Sequence, residues 1–150
     1  LSGSNRNIWD SFVASFTITG AHRWSRSDRG SIIDLATDVA VNSLGHAYVT
    51  GQFFSQLDYG TGTLNSTAGQ LVYVIRYDNQ GDVVWPKANG DTTLYGAGLF
   101  PGGVAVDEND SPIMTTTSSC TAGDFGGISV STLGRASILM SLHPLGFGRD

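Results

Sequence analysis

Residues that could perform chemistry are few and scattered in this chain of 150 residues. The three histidines, His22, His46 and His143, lie in or beside different hairpin turns and show no metal-ligand spacing. No Gly-x-Ser-x-Gly nucleophile elbow occurs, and no two carboxylates stand out as the acid pair of a hydrolase. The sequence therefore predicts a protein that is not an enzyme and holds no cofactor and no metal, with a hydrolase or lyase as a remote alternative.

The composition argues against several classes of partner. Charged residues make up 14% of the chain, the formal net charge is −5, and the basic residues form no stripe, so we expect no nucleic acid. No stretch reaches the roughly 18 apolar residues of a membrane span. The single cysteine, Cys120, leaves no partner for an intrachain disulfide. The 20 glycines, together with many Thr, Ser and Val residues, favour strands joined by frequent turns.

An internal repeat organises the chain. The stretch "SFVASFTITGAHRW" at 11–24 aligns with "VYVIRYDNQGDVVW" at 72–85, and "ILMSLHPLG" at 138–146 is a third copy. A second element, "DVAVNSLGHAYVTGQ" at 38–52, matches "GVAVDENDSPIMTTT" at 103–117. Two independent motifs that keep one order and nearly one spacing indicate a tandem repeat.

Each copy of these motifs predicts a β-hairpin closed by a type I turn and a glycine of positive φ. At the position of Gly45 the second copy has Asp110, which tolerates a positive φ. No segment shows a sustained helical period, so almost no helix is expected. The repeat positions with a structural role are turn glycines and packing tryptophans: Gly20, Gly81, Gly146, Trp24 and Trp85.

The repeating unit is thus two hairpins, or four antiparallel strands, and tandem units of this kind favour a β-propeller over a β-sandwich. The unit at 38–85, with "YVTG", "LDYG" and "YVIRYDNQGDVVW", resembles the bacterial β-propeller repeat called the SBBP repeat. The unit from 103 onward and the stretch at 11–24 match that pattern only in part. The resemblance implies a secreted or surface-attached bacterial protein in which the repeat is a scaffold or a binding surface. The strands predicted in the complete unit are 38–42, 46–53, 71–78 and 82–87.

Three segments follow from this division: 1–30 as the second half of a preceding blade, 31–90 as a complete blade, and 91–150 as a blade without its last strand. Two and a fraction blades cannot close a ring by themselves. The chain is then a fragment of a longer protein, or copies complete one another, or open edges pair with neighbouring chains. We therefore expect self-association or contact with flanking blades.

Binding is expected on the face that carries the long connections between strands, which are predicted at 25–37, 54–70, 88–102 and 118–135. Aromatic rings beside carboxylates suit a carbohydrate or a peptide, and the candidate ligand residues are Tyr95, Phe100, Asp58 and Tyr59. The sequence therefore predicts an extracellular or cell-surface module for structural assembly or adhesion. A carbohydrate- or peptide-binding module is the alternative.

Overall fold

A computed structural model describes residues 9–30, 32–89, 99–118, 122–124, 129–131 and 135–142. All helical or strand structure within these ranges is strand, which confirms the all-β prediction. The strands are β1 (Phe12–Phe16), β2 (His22–Ser27), β3 (Arg29–Gly30), β4 (Asp34–Val41), β5 (Ala47–Asp58), β6 (Thr63–Tyr77), β7 (Val83–Asn89), β8 (Leu99–Val106), β9 (Pro112–Ser118), β10 (Ala122–Asp124), β11 (Ser129–Ser131) and β12 (Ala136–Ser141).

The strands form antiparallel sheets whose order follows the repeat. The first sheet is the hairpin β1–β2. The central sheet is the meander β4–β5–β6–β7, with β3 paired to the far end of β5. The third sheet has the order β8–β9–β12, and β10–β11 is a separate small hairpin. Across the described ranges these strands do not close into a barrel or a propeller ring.

Tight turns join the strands of each hairpin, and their glycines confirm the predicted turn chemistry. Gly20, Gly45 and Gly81 have φ values of 84°, 78° and 83°. Asp110 takes a φ of 61° at the position that corresponds to Gly45. Positive φ costs glycine nothing because it has no Cβ, whereas aspartate tolerates it at some cost.

The connection predicted as a long loop at 54–70 is wrong, because most of it is strand. β5 and β6 continue their pairing through Gln56 with Asn65 and through Asp58 with Thr63. Leu57 is fully buried in this extension, which gives it an apolar anchor. The register shift next to Ser55, whose φ is 66°, lets the ladder continue past a bulge.

Apolar side chains cover both faces of the central sheet, because successive residues of a strand point to opposite faces. On one face, Tyr73 and Tyr77 pack with Trp24 of the first sheet. On the other face, Val72 and Val74 pack with Val104 and Met114 of the third sheet, along with Leu99 and Leu142. The central sheet therefore lies between the first and third sheets, and residues 71–77 of β6 are all buried.

Among the residues placed in the structure, none forms a helix long and apolar enough to cross a membrane.

Candidate functional site: the stacking faces of the sheets

The hairpin of the first sheet reproduces the β6–β7 hairpin residue for residue. Ser15 pairs with Trp24 as Arg76 pairs with Trp85, each 61 residues further along. Both hairpins have a register shift directly after this pair. Both turns close with the same hydrogen bonds, in which the glycine N–H donates to the carbonyl oxygen three residues before it. The repeat is therefore one of three-dimensional structure as well as of sequence.

Trp24 packs on the turn and on one tyrosine of the central sheet. Its ring centroid lies 5.9 Å from that of Tyr77, and the two planes meet at 30°. A Cβ built on Gly81 would lie only 2.5 Å from the indole of Trp24, so the indole rests on the bare backbone of that glycine. Two arginines of β2 add polar contacts, because Arg26 pairs with Asp82 at 2.9 Å and Arg23 donates to a turn carbonyl. Together these groups form the interface between the first and central sheets.

The same arrangement recurs on the outer face of the first sheet, but nothing in the described chain covers it. Phe12 and Phe16 are the counterparts of Tyr73 and Tyr77 in the alignment of the hairpins. Their exposed fractions are 75% and 57%, whereas both tyrosines are fully buried. A Cβ on Gly20 would meet no heavy atom within 4 Å, although it would strike the indole at the corresponding Gly81. We call Phe12, Phe16 and Gly20 the open aromatic seat.

Hydrogen bonds between turns and between strands add to the apolar contacts that join the central and third sheets. The carboxylate of Asp110 accepts two hydrogen bonds from Ser43, one from the backbone N–H at 3.0 Å and one from the hydroxyl at 2.8 Å. These bonds lower the pKa of the Asp110 carboxyl because they favour its charged form. Asp38 accepts a hydrogen bond from the backbone N–H of Val104 at 2.9 Å, which joins β4 to β8. Tyr48 also donates to the backbone carbonyl of Asp110.

The outer face of the third sheet combines exposed apolar groups with hydroxyls. Leu139 on β12 is 71% exposed, and its cross-strand partner is Thr115. Phe100 on β8 is 52% exposed, and its cross-strand partner on β9 is Thr117. On its other side, Thr117 pairs with Ser137 of β12. Directly opposed residues of an antiparallel pair point to the same face. This face therefore presents exposed apolar side chains, Leu139 and Phe100 among them, beside threonine and serine hydroxyls.

A buried carboxylate lies where the first sheet meets the central one. Asp28 accepts hydrogen bonds from Tyr77 at 3.1 Å and from Ser11 at 3.2 Å, and Tyr73 lies 3.4 Å from the Ser11 hydroxyl. Burial raises the pKa of Asp28, and the hydroxyl donors oppose that rise. Burial and this nearby carboxylate also raise the pKa values of both tyrosines. The hydroxyl groups thus compensate a charge that would otherwise be costly to bury.

The next interface keeps this position but removes its charge. Asn89 occupies the place of Asp28, 61 residues further along, and it is also buried. In the alignment of the repeats, Ile138 and Leu142 stand where Tyr73 and Tyr77 do. Loss of the two hydroxyls thus accompanies the replacement of a carboxylate by a neutral amide. Asp28 is therefore matched to the surface that covers it.

Asp34 is the second buried carboxylate, and neither of its oxygens has a hydrogen-bond partner in the structure. It begins β4 and packs against Gly30, where no side chain could fit beside it. Burial, followed by the charges of Asp10 and Asp28, raises its pKa from 3.8 to about 7. Asp34 is fully buried in the folded chain.

The predicted ligand residues that the structure describes, Phe100, Asp58 and Tyr59, lie on different sheets. Phe100 lies in β8, so the connection predicted at 88–102 is wrong over 88–89 and 99–102, which are strand. Asp58 and Tyr59 lie at the turn between β5 and β6 on the central sheet. Asp58 accepts a hydrogen bond from the N–H of Gly60 at 2.8 Å, which shapes that turn. Tyr95 lies outside the described residues, as does Gly146.

The described residues also contain no group of three His, Cys, Asp or Glu side chains that could hold a metal ion. His22 makes an edge-on ring contact with Phe16, with centroids 5.6 Å apart. His46 lies 2.7 Å from the guanidinium of Arg76, between its ring nitrogen Nδ1 and Nη2. His22 and His46 thus have partners in different parts of the fold, and His143 lies outside the described ranges.

Sequence reasoning missed the open aromatic seat and both buried carboxylates. The alignment of 11–24 with 72–85 already set Phe12 and Phe16 opposite tyrosines, and this was the available signal for the seat. No such signal exists for Asp28 and Asp34, because their segment has the polar composition of a loop. Comparisons with protein-family models and with curated proteins gave no match.

Proposed function

We propose that this chain is a structural repeat module that works by stacking four-stranded β units face to face. The observation that carries the proposal is the matching cross-strand pairing of two successive hairpins, each of which turns its tryptophan toward the next sheet. A protein that builds its own core from repeated interfaces can add further units in the same way. The function of the chain is then to assemble with further units of the same kind.

The stack belongs to the propeller type in this proposal, with each sheet acting as one blade. The meander β4–β7 supports this assignment, as does the packing of both of its faces against neighbouring sheets. The resemblance to the SBBP repeat supports placing the module in a secreted or surface-attached bacterial scaffold. The proposal requires no catalytic residue and no cofactor.

Native mass measured by multi-angle light scattering over a dilution series tests the assembly function. We expect a fixed multiple of the 15.8 kDa chain mass, or growth into longer polymers, at micromolar concentration. Dilution should shift the population toward single chains, because non-covalent association depends on concentration. A monodisperse monomer at every concentration would contradict the proposal.

A further inference from the structure

We infer that the open aromatic seat of one copy docks on the outer face of the third sheet of a second copy, so that chains add head to tail. This inference rests on the proposed assembly function and names its partner surface. It is carried by the two outer faces of the stack. Each of them presents apolar residues whose counterparts are buried inside the chain.

On the first sheet, the exposed Phe12 and Phe16 correspond to Tyr73 and Tyr77, which are fully covered. The seat differs from the covered version in lacking both tyrosine hydroxyls. At the turn, Ile18 is fully exposed, whereas at the corresponding position in the internal interface the backbone carbonyl of Asn79 accepts a hydrogen bond from Arg23. The seat is therefore built for an apolar partner that brings no buried carboxylate.

On the third sheet, the exposed Leu139 corresponds to Val74 in the alignment of the repeats, 65 residues earlier. Val74 is fully buried, because it faces the third sheet from the centre of the chain. Leu139 occupies the same position one unit further along, on the face that a following unit would cover. Exposed apolar groups on both faces give the docked state a hydrophobic driving force.

The strand positions of these two faces carry little charge. Opposite the seat residues, β2 contributes the outward positions of His22, Ser25 and Ser27. Beside Leu139, the third sheet contributes Thr115, Thr117 and hydroxyls of β12. When these two faces are buried against each other, no carboxylate and no Lys or Arg at these strand positions loses its water, so the desolvation cost is small.

A second copy supplies the complementary face, because the central sheet keeps the two outer faces of one copy apart. The central sheet lies between the first and third sheets, and both of its faces are occupied. Docking the seat on another chain's third sheet continues the order in which the sheets already stack. A contact between two different surfaces is heterologous, so it leads either to a closed ring or to an open filament.

The test uses two variants that each block one face, Phe16→Ser and Leu139→Ser, with Leu44→Ser as the matched control. Leu44 is 62% exposed, but it lies in the turn between β4 and β5 rather than on either outer face. All three side chains are exposed in the single chain, so the urea unfolding midpoint of each variant should stay close to that of wild type. Each blocking variant should weaken self-association by about tenfold or more, and Leu44→Ser should not.

Mixing the two blocking variants gives the sharpest result. Phe16→Ser keeps an intact third sheet and Leu139→Ser keeps an intact seat, so an equimolar mixture should form a dimer of one chain of each and stop there. Dimers of Leu139→Ser alone would overturn the inference in favour of a seat-to-seat contact. Wild-type association that neither substitution weakens would also overturn it, yet would leave the assembly function standing. A monomeric wild type would overturn both.

Discussion

Replacing Gly81 by alanine should destabilise the chain by about 1–3 kcal/mol more than replacing Gly20 by alanine, because of overpacking. The two glycines have nearly the same φ, 83° and 84°, so the backbone penalty for a Cβ in the left-handed region is shared. They differ in what the new methyl group would meet. At Gly81 it would lie 2.5 Å from the indole of Trp24, and at Gly20 it would meet open space.

The comparison isolates the packing of one tryptophan on one turn. Urea unfolding followed by tryptophan fluorescence gives both free energies, provided that dilute protein is used so that neither chain self-associates. In the Gly81→Ala variant the indole of Trp24 must move, and its displacement from Tyr77 should also alter the near-ultraviolet circular dichroism. Equal losses for the two variants would mean that Trp24 does not rest on Gly81 in solution.

Replacing Asp34 by asparagine should remove a pH dependence of about 4 kcal/mol from the free energy of unfolding. The pKa of Asp34 is about 7 in the folded chain and 3.8 as its ordinary value. Because the folded state holds the proton more tightly, wild-type stability falls as pH rises from about 4 and levels off above about 7. Asparagine cannot ionise, so the Asp34→Asn chain lacks this fall.

Denaturant unfolding at closely spaced pH values measures the effect, and the slope with pH is the readout. The absolute stability at low pH is a poorer readout, since a buried amide without partners carries its own cost. Glu108→Gln is the matched control, because Glu108 is exposed in the turn between β8 and β9. The idea fails if wild type and Asp34→Asn show parallel curves between pH 4 and 7.

The hairpins and their order could be predicted from sequence because each rests on local chemistry. A positive φ at the fourth residue of a tight turn favours glycine, and Gly20, Gly45 and Gly81 all occupy such positions. Alternating apolar residues then identify the paired strands on either side. These signals act over a few residues, so a single sequence is sufficient to find them.

The extension of β5 and β6 could not be predicted, because its side chains are mostly polar. Gln56 and Asn65 are more typical of a loop, yet backbone pairing continues through both. A ladder that has already formed can extend through polar residues when a single apolar anchor, here Leu57, is buried. Sequence patterns report side chains, whereas the ladder is made by the backbone.

The candidate site depends on which face each strand turns toward its neighbours, and this is a tertiary property. Phe12 and Tyr73 occupy equivalent places in the repeat, and only the packing of sheets makes one exposed and the other buried. In the same way, Asp28 is stabilised by Tyr77, a residue 49 positions away. The sequence predicted a repeating unit and the self-association of chains. Which surfaces would associate can be inferred only from the way in which the sheets stack.

Photo-crosslinking from the seat is the most direct measurement of how copies associate. Phe16 is replaced by benzoylphenylalanine, the protein is irradiated at a concentration at which it associates, and the crosslinked peptides are identified by mass spectrometry. The stacking account predicts a link from position 16 of one chain to the β12 segment Ala136–Ser141 of another. Links from position 16 to the first sheet of another chain, or links only within one chain, would contradict it.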